Sequence, residues 1–115
     1  MVDAERDRRI AAGFEWNGYN WQFDTTSKQN ITGSGSLAAM AIMQGAAVGD
    51  YTWNGGTEPF QWVTADNQRV SLDAHDMFEM ARSAASHVNM HFMAGRALKD
   101  FTTIPASYAD DDWWP

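Results

Sequence analysis

Phe14-Glu15-Trp16-Asn17-Gly18-Tyr19-Asn20-Trp21-Gln22-Phe23 is the stretch from which the fold is read. Asn-Gly between two alternating runs favours a two-residue type I′ turn, because both central residues need positive φ. That register pairs Trp16 with Tyr19 and Phe14 with Trp21. Four aromatics then share one face, and Glu15, Asn20 and Gln22 take the other.

Upstream, Asp3 to Ala12 reads as a short charged helix with Asp3 as its N-cap. Glu5 and Arg9 form a favourable i,i+4 pair, Ile10 supplies a small apolar face, and Gly13 ends the helix. Downstream, Asp24-Thr25-Thr26-Ser27 is a helix-start cluster, and a helix from about Thr25 to Gln44 follows, closed by Gly45. Its centre, Gly33-Ser34-Gly35-Ser36, loses about 1 kcal/mol per Gly relative to Ala. That predicts a kink or the close approach of another element. Leu37 to Met43 is apolar nearly all round and is expected to be buried.

Ala46 to Pro59 is rich in turn residues. Phe60 to Val63 and Gln68 to Val70 read as a second hairpin around Asp66-Asn67, with Val63 opposite Val70 and with Phe60 and Trp62 facing the other way. Ser71 or Asp73 then caps a helix running to about Lys99. Along it Phe78, Ala81, Ala85, Val88, Phe92 and Gly95 follow heptad spacing, widened by Met77, Ala84, His91 and Leu98. The expected fold class is α+β: one small domain of two short antiparallel β-hairpins packed on two main helices plus a short N-terminal helix. Residues 1–13 form the N-terminal helix, 14–100 the hairpin-helix-hairpin-helix body, and 101–115 an aromatic and acidic C-terminal tail.

The formal net charge is −7, with only eight Lys and Arg. That balance argues against nucleic acid and anionic membrane as principal partners. No stretch is long and apolar enough to span a bilayer, the longest being Leu37 to Met43, and the polar N-terminus lacks the apolar core of a secretory signal. The chain has no cysteine, so neither a disulfide framework nor a thiolate metal site is available.

His87 and His91 stand four apart on the last helix, where two imidazoles could share a metal. Zinc needs a third ligand and usually a fourth, so a structural pair is the stronger reading and His87 and His91 are a weak metal candidate. Asp73, Asp76 and Glu79 read as first-turn acids that complement the helix dipole rather than as a hydrolytic carboxylate pair. Asp110-Asp111-Asp112 lacks the spaced ligands of a calcium loop. Gly33-Ser34-Gly35-Ser36 lacks the Gly-Lys-Ser/Thr ending of a phosphate loop. No catalytic residue and no cofactor are expected, and the chain reads as non-enzymatic. Trp16, Trp21 and Trp62 are expected in the core, while Trp113, Trp114, Phe78, Val88, Phe92 and Trp53 are the candidates for an interface. A terminal Trp-Trp-Pro must tuck back onto the domain or anchor a partner.

Five stretches carry a family resemblance. They are Asp3-Ala4-Glu5-Arg6-Asp7-Arg8-Arg9-Ile10-Ala11-Ala12-Gly13-Phe14, Ser27-Lys28-Gln29-Asn30-Ile31-Thr32-Gly33, Trp62-Val63-Thr64-Ala65-Asp66-Asn67, Ala97-Leu98-Lys99-Asp100 and Ile104-Pro105-Ala106-Ser107-Tyr108-Ala109-Asp110-Asp111. In their order and spacing the chain resembles, nearly end to end, an uncharacterised domain family common in tailed phages and prophages. There the domain often forms the C-terminal part of tail-fibre or tail-tip proteins. The resemblance implies a virion protein of the tail tip, baseplate or tail fibre, synthesised in the host cytoplasm. Its partners would be other phage tail proteins, in multiple symmetric copies, and it implies no assigned activity. A host-glycan-binding module using exposed Trp residues, and a tail-fibre assembly chaperone absent from the mature particle, are the alternative expectations.

Overall fold

The computed structural model describes residues 1–115. In chain order it contains α1 (Val2–Ala11), β1 (Phe14–Trp16), β2 (Tyr19–Trp21), α2 (Thr25–Met43), β3 (Gln61–Val63), β4 (Arg69–Ser71), α3 (Ala74–Lys99) and a 3₁₀ turn at Asp111–Trp113. The fold is α+β, with two separate two-stranded antiparallel sheets. At 26 residues α3 is roughly 39 Å long and forms the spine. The molecule measures 56 × 29 × 22 Å, with a radius of gyration of 16.8 Å. A compact chain of this length has about 13 Å, so the domain is elongated along its longest helix.

The first hairpin has the predicted register, Phe14 to Trp21 and Trp16 to Tyr19. Asn17 and Gly18 hold φ of 55° and 78°, the type I′ pair. Its aromatic face packs on α3. Trp21 and Phe14 are buried, and the Trp21 indole N–H donates to the Trp16 carbonyl at 2.9 Å.

The second hairpin departs from expectation. Trp62 pairs with Val70, and Val63 pairs with Arg69. Thr64 is the reason. Its amide donates to the Gln68 carbonyl at 2.8 Å, and its hydroxyl accepts the Gln68 amide at 3.0 Å. A three-residue turn closes there, with Asn67 in the left-handed region at φ 66°. One register step moves Val63 outward and brings Phe60, Trp62 and Val70 together against the core.

Two further differences concern helices. Met1, not Asp3, occupies the N-cap of α1, because Val2 is buried and draws the helix start to it. Asp3 lies in the first turn and pairs with Lys99 of α3. In α2 the run Leu37 to Met43 is not enclosed: Leu37 is 60% exposed, Met40 55% and Met43 87%. Only Ile31, Gly35 and Ala38 of that helix are buried. Gly35 lets the helices close up, since a Cβ there would stand 2.4 Å from the Ala81 Cβ of α3.

Two apolar clusters share the spine. The larger joins Ile10, the first hairpin, α2 and the first half of α3 through Met77, Met80 and Ala84. The smaller joins Val2, Leu98 and Trp114 at the far end.

Candidate interaction surface

On α3 the buried line is Ala74, Met77, Met80, Ala84, His91, Gly95 and Leu98. The predicted seam of Phe78, Ala81, Ala85, Val88, Phe92 and Gly95 lies mostly one position round the helix, and Ala85 and Phe92 are exposed. The buried Met77-Ala84-His91-Leu98 stripe follows the same heptad spacing, and it is covered by the larger cluster at Met77 and Ala84 and by Val2 and Trp114 at Leu98. Heptad spacing alone does not choose between the two neighbouring stripes.

Of the interface candidates, Phe78 and Val88 are half-buried against the larger cluster. Trp53 is also half-buried. Its indole N–H donates to the Leu72 carbonyl at 3.0 Å, and its ring centre lies 4.7 Å from that of Phe60. Phe92 is 46% exposed, with the Arg6 guanidinium 4.1 Å above its ring. Trp113 donates to the Ser107 hydroxyl at 3.1 Å and packs edge-on to Phe101. Trp114 corrects the expectation of an interface role. It is 7% exposed and donates to the Tyr108 carbonyl at 2.8 Å, tucked back beside Val2, Leu98 and Gly95. Hydrogen bonding of the tail explains this: Arg9 reaches the Ala109 carbonyl and the Asp111 carboxylate, both at 2.8 Å.

His87 and His91 come together with ring centres 4.5 Å apart. One nitrogen of each ring is engaged by the backbone. His87 Nε2 faces the Ile10 carbonyl at 3.0 Å, which ties α1 to α3, and His91 Nδ1 faces the His87 carbonyl at 2.7 Å. No group of three or more His, Cys, Asp or Glu side chains stands together as a metal site would require. Burial pushes the His87 imidazole below its ordinary value, with the positive ends of His91 and Lys28 adding to it against the pull of the Ile10 carbonyl. Around the pair lies an open cleft of about 750 Å³ whose lining includes Arg8, Glu15, Ser83, Ser86 and Asp111. No hydrogen bond joins either serine to an imidazole.

Asp73 caps α3, accepting the Asp76 amide at 2.7 Å, while the Asp76 carboxylate accepts the Asp73 amide at 3.3 Å. The second oxygen of Asp73 accepts the Gly49 amide at 2.8 Å and so pins the loop that follows α2. Glu79 pairs with Arg82 at 3.1 Å. The acids at this helix start are a capping box and a surface pair.

The outward side of α2, missed by sequence reading, exposes a run of large apolar side chains. Leu37, Met40 and Met43 are joined there by Val48 just beyond the helix, which is 78% exposed. Met90, Phe92 and Met93 of α3 are also exposed, Met90 at the cleft beside His87 and His91 and Phe92 under Arg6. Trp62 borders the α2 group, half-buried beside Leu37. An unbroken apolar run without strong periodicity conceals which side faces out, and only the packing of α2 against α3 decides it.

A family model described as Domain of unknown function (DUF4376) matches residues 1–113, and the chain belongs to that family. No curated protein and no solved structure matches it.

Proposed function

Starting from that family membership, which brings no activity with it, we propose that the chain is a structural component of a bacteriophage tail. It would sit at the tail tip, baseplate or fibre of the virion and act through protein–protein contact rather than catalysis. The phage setting is supported by the resemblance in the five quoted stretches. The mode of action is supported by one observation: large apolar side chains, among them Leu37, Met40, Met43 and Val48, stand exposed to solvent. Exposed apolar side chains gain free energy when a partner removes them from water.

The glycan reading fits less well. A sugar platform needs an open indole face, and all six tryptophans are buried or half-buried. Immuno-electron microscopy of intact particles with an antibody against this chain is the decisive experiment. Label at the tail end is the expected result. Unlabelled complete particles, with the protein abundant in infected cells, would replace this reading with the assembly-chaperone one.

A further inference from the structure

Gly33 lies inside α2, and nothing stands within 4 Å of where its Cβ would be. Glycine at such a position lowers helix stability by about 1 kcal/mol relative to alanine, and no contact within the chain explains it. Gly35, two residues on, has its reason in Ala81. Gly33 faces outward, and at helical spacing it shares that side with Gln29, Ser36, Leu37, Met40 and Met43.

The residues that α2 contributes to this side carry no charge, and Arg82 of α3 flanks them, lining a groove beside Ser36. Lys28 is the only charged residue of α2, and its ammonium lies 5.3 Å over the Phe23 ring, turned toward the first hairpin. On a chain of net charge −7 two copies repel one another overall, and a neutral face is where they can meet without placing like charges in direct contact. A neutral apolar face can oppose its own copy without like-charge contact, and it is a poor match for the charged remainder of another copy.

Side-chain size adds a direction. The first half of the face is small and polar, with Asn30, Gly33 and Ser36, and the second half is long and apolar, with Leu37, Met40 and Met43. Beside Gly33 the surface dips into a shallow groove lined by Gln29, Asn30, Gly33, Ser34, Leu37 and Trp62. We propose that this face is the two-fold contact of a homodimer, with α2 of one copy lying antiparallel on α2 of the other and the axis between Ser36 and Leu37. A two-fold contact presents the same patch on both sides. Antiparallel order about that axis sets Met40 against the second copy's Gly33 and Met43 against its Asn30, so the methionine side chains fill the groove. Parallel order would oppose glycine to glycine and methionine to methionine, leaving a void at one end and a clash at the other.

This pairing holds whether or not the chain resides in a virion, so its test is independent of particle labelling. Sedimentation velocity of the full chain, from about 1 to about 100 μM, should show a particle of twice 12.9 kDa with dissociation on the order of micromolar. Leu37→Glu and Met40→Glu alter side chains already exposed in the single copy. Both should keep the helical circular dichroism spectrum while weakening association by about a hundredfold or more. Because the chain has no cysteine, direction can be read by cross-linking. With a short bismaleimide, a mixture of Gly33→Cys and Met40→Cys chains should cross-link to each other faster than either does to itself. A single-copy mass throughout the range would overturn the proposal. So would a dimer indifferent to Leu37→Glu and Met40→Glu, or preferential self-linking of Gly33→Cys and of Met40→Cys.

Discussion

Single residues show how context reverses the sign of one substitution. Gly33 and Gly35 are two apart in the same helix, yet a Cβ meets open space at the first and the Ala81 Cβ at the second. In dilute solution Gly33→Ala is expected to raise the unfolding free energy by about 1 kcal/mol. Gly35→Ala is expected to lower it by about 1–3 kcal/mol, because α2 and α3 must separate to admit the methyl group. Urea unfolding of the two variants measures both, and equal effects would refute this account of the helix contact. Asp73 is the other residue with a large expected effect. Burial pushes its carboxyl up, but the amides of Gly49 and Asp76 outweigh that and hold it below the usual value of 3.8. A carboxylate held low contributes stability that is present above the unfolded value and lost as pH falls through the folded one. Asp73→Ala should therefore cost about 2 kcal/mol near neutrality, measured by urea unfolding, and the difference from the parent should shrink in acid. The capping role was legible from residue type and position. The tie to Gly49 was not, because it links residues 24 apart.

At the scale of elements, legibility followed the range of the interactions. The first hairpin could be read from ten consecutive residues because Asn17-Gly18 fixes its own turn geometry. In the second, Asp66-Asn67 looked like an equivalent signal, but the Thr64 hydroxyl captured the Gln68 amide and lengthened the turn by one residue. Side chain to backbone competition of that kind leaves no hydrophobic pattern to read. The outward side of α2 was missed for a related reason: apolar residues all round a helix do not disclose which side a neighbour will cover. The contact between α1 and α3 has its own pH dependence through His87. A base held below its ordinary value of 6.5 is harder to charge in the folded state. Its contribution is complete above 6.5 and diminishes as pH falls below it. Unfolding free energy should accordingly decline on acidification from pH 6.5, less steeply in His87→Gln. An identical slope in the two proteins would show that the imidazole plays no part.

The whole molecule is two clusters on one spine, and they need not unfold together. Trp114 fills the space that Gly95 leaves beside α3 and covers Val2 and Leu98. Trp114→Ala should cost about 3 kcal/mol in that end of the molecule. Amide hydrogen exchange should then accelerate in α1 and the last turns of α3, while α2 and the first half of α3 keep their protection. Uniform acceleration would mean that the domain is one cooperative unit. The tail was read as aromatic and terminal, with two fates open, and the arginine that draws it back lies about a hundred residues away, beyond the reach of local pattern. The diagonal tryptophan pair of the first hairpin has an optical consequence. The Trp16 and Trp21 rings are 6.1 Å apart at 49°, close and skewed enough for their electronic transitions to mix and split into bands of opposite sign. The far-ultraviolet dichroism of this largely helical chain should therefore carry an exciton couplet that vanishes in Trp16→Phe. Its decay on heating would time the melting of three residues per strand, separately from the helices that dominate the rest of the spectrum.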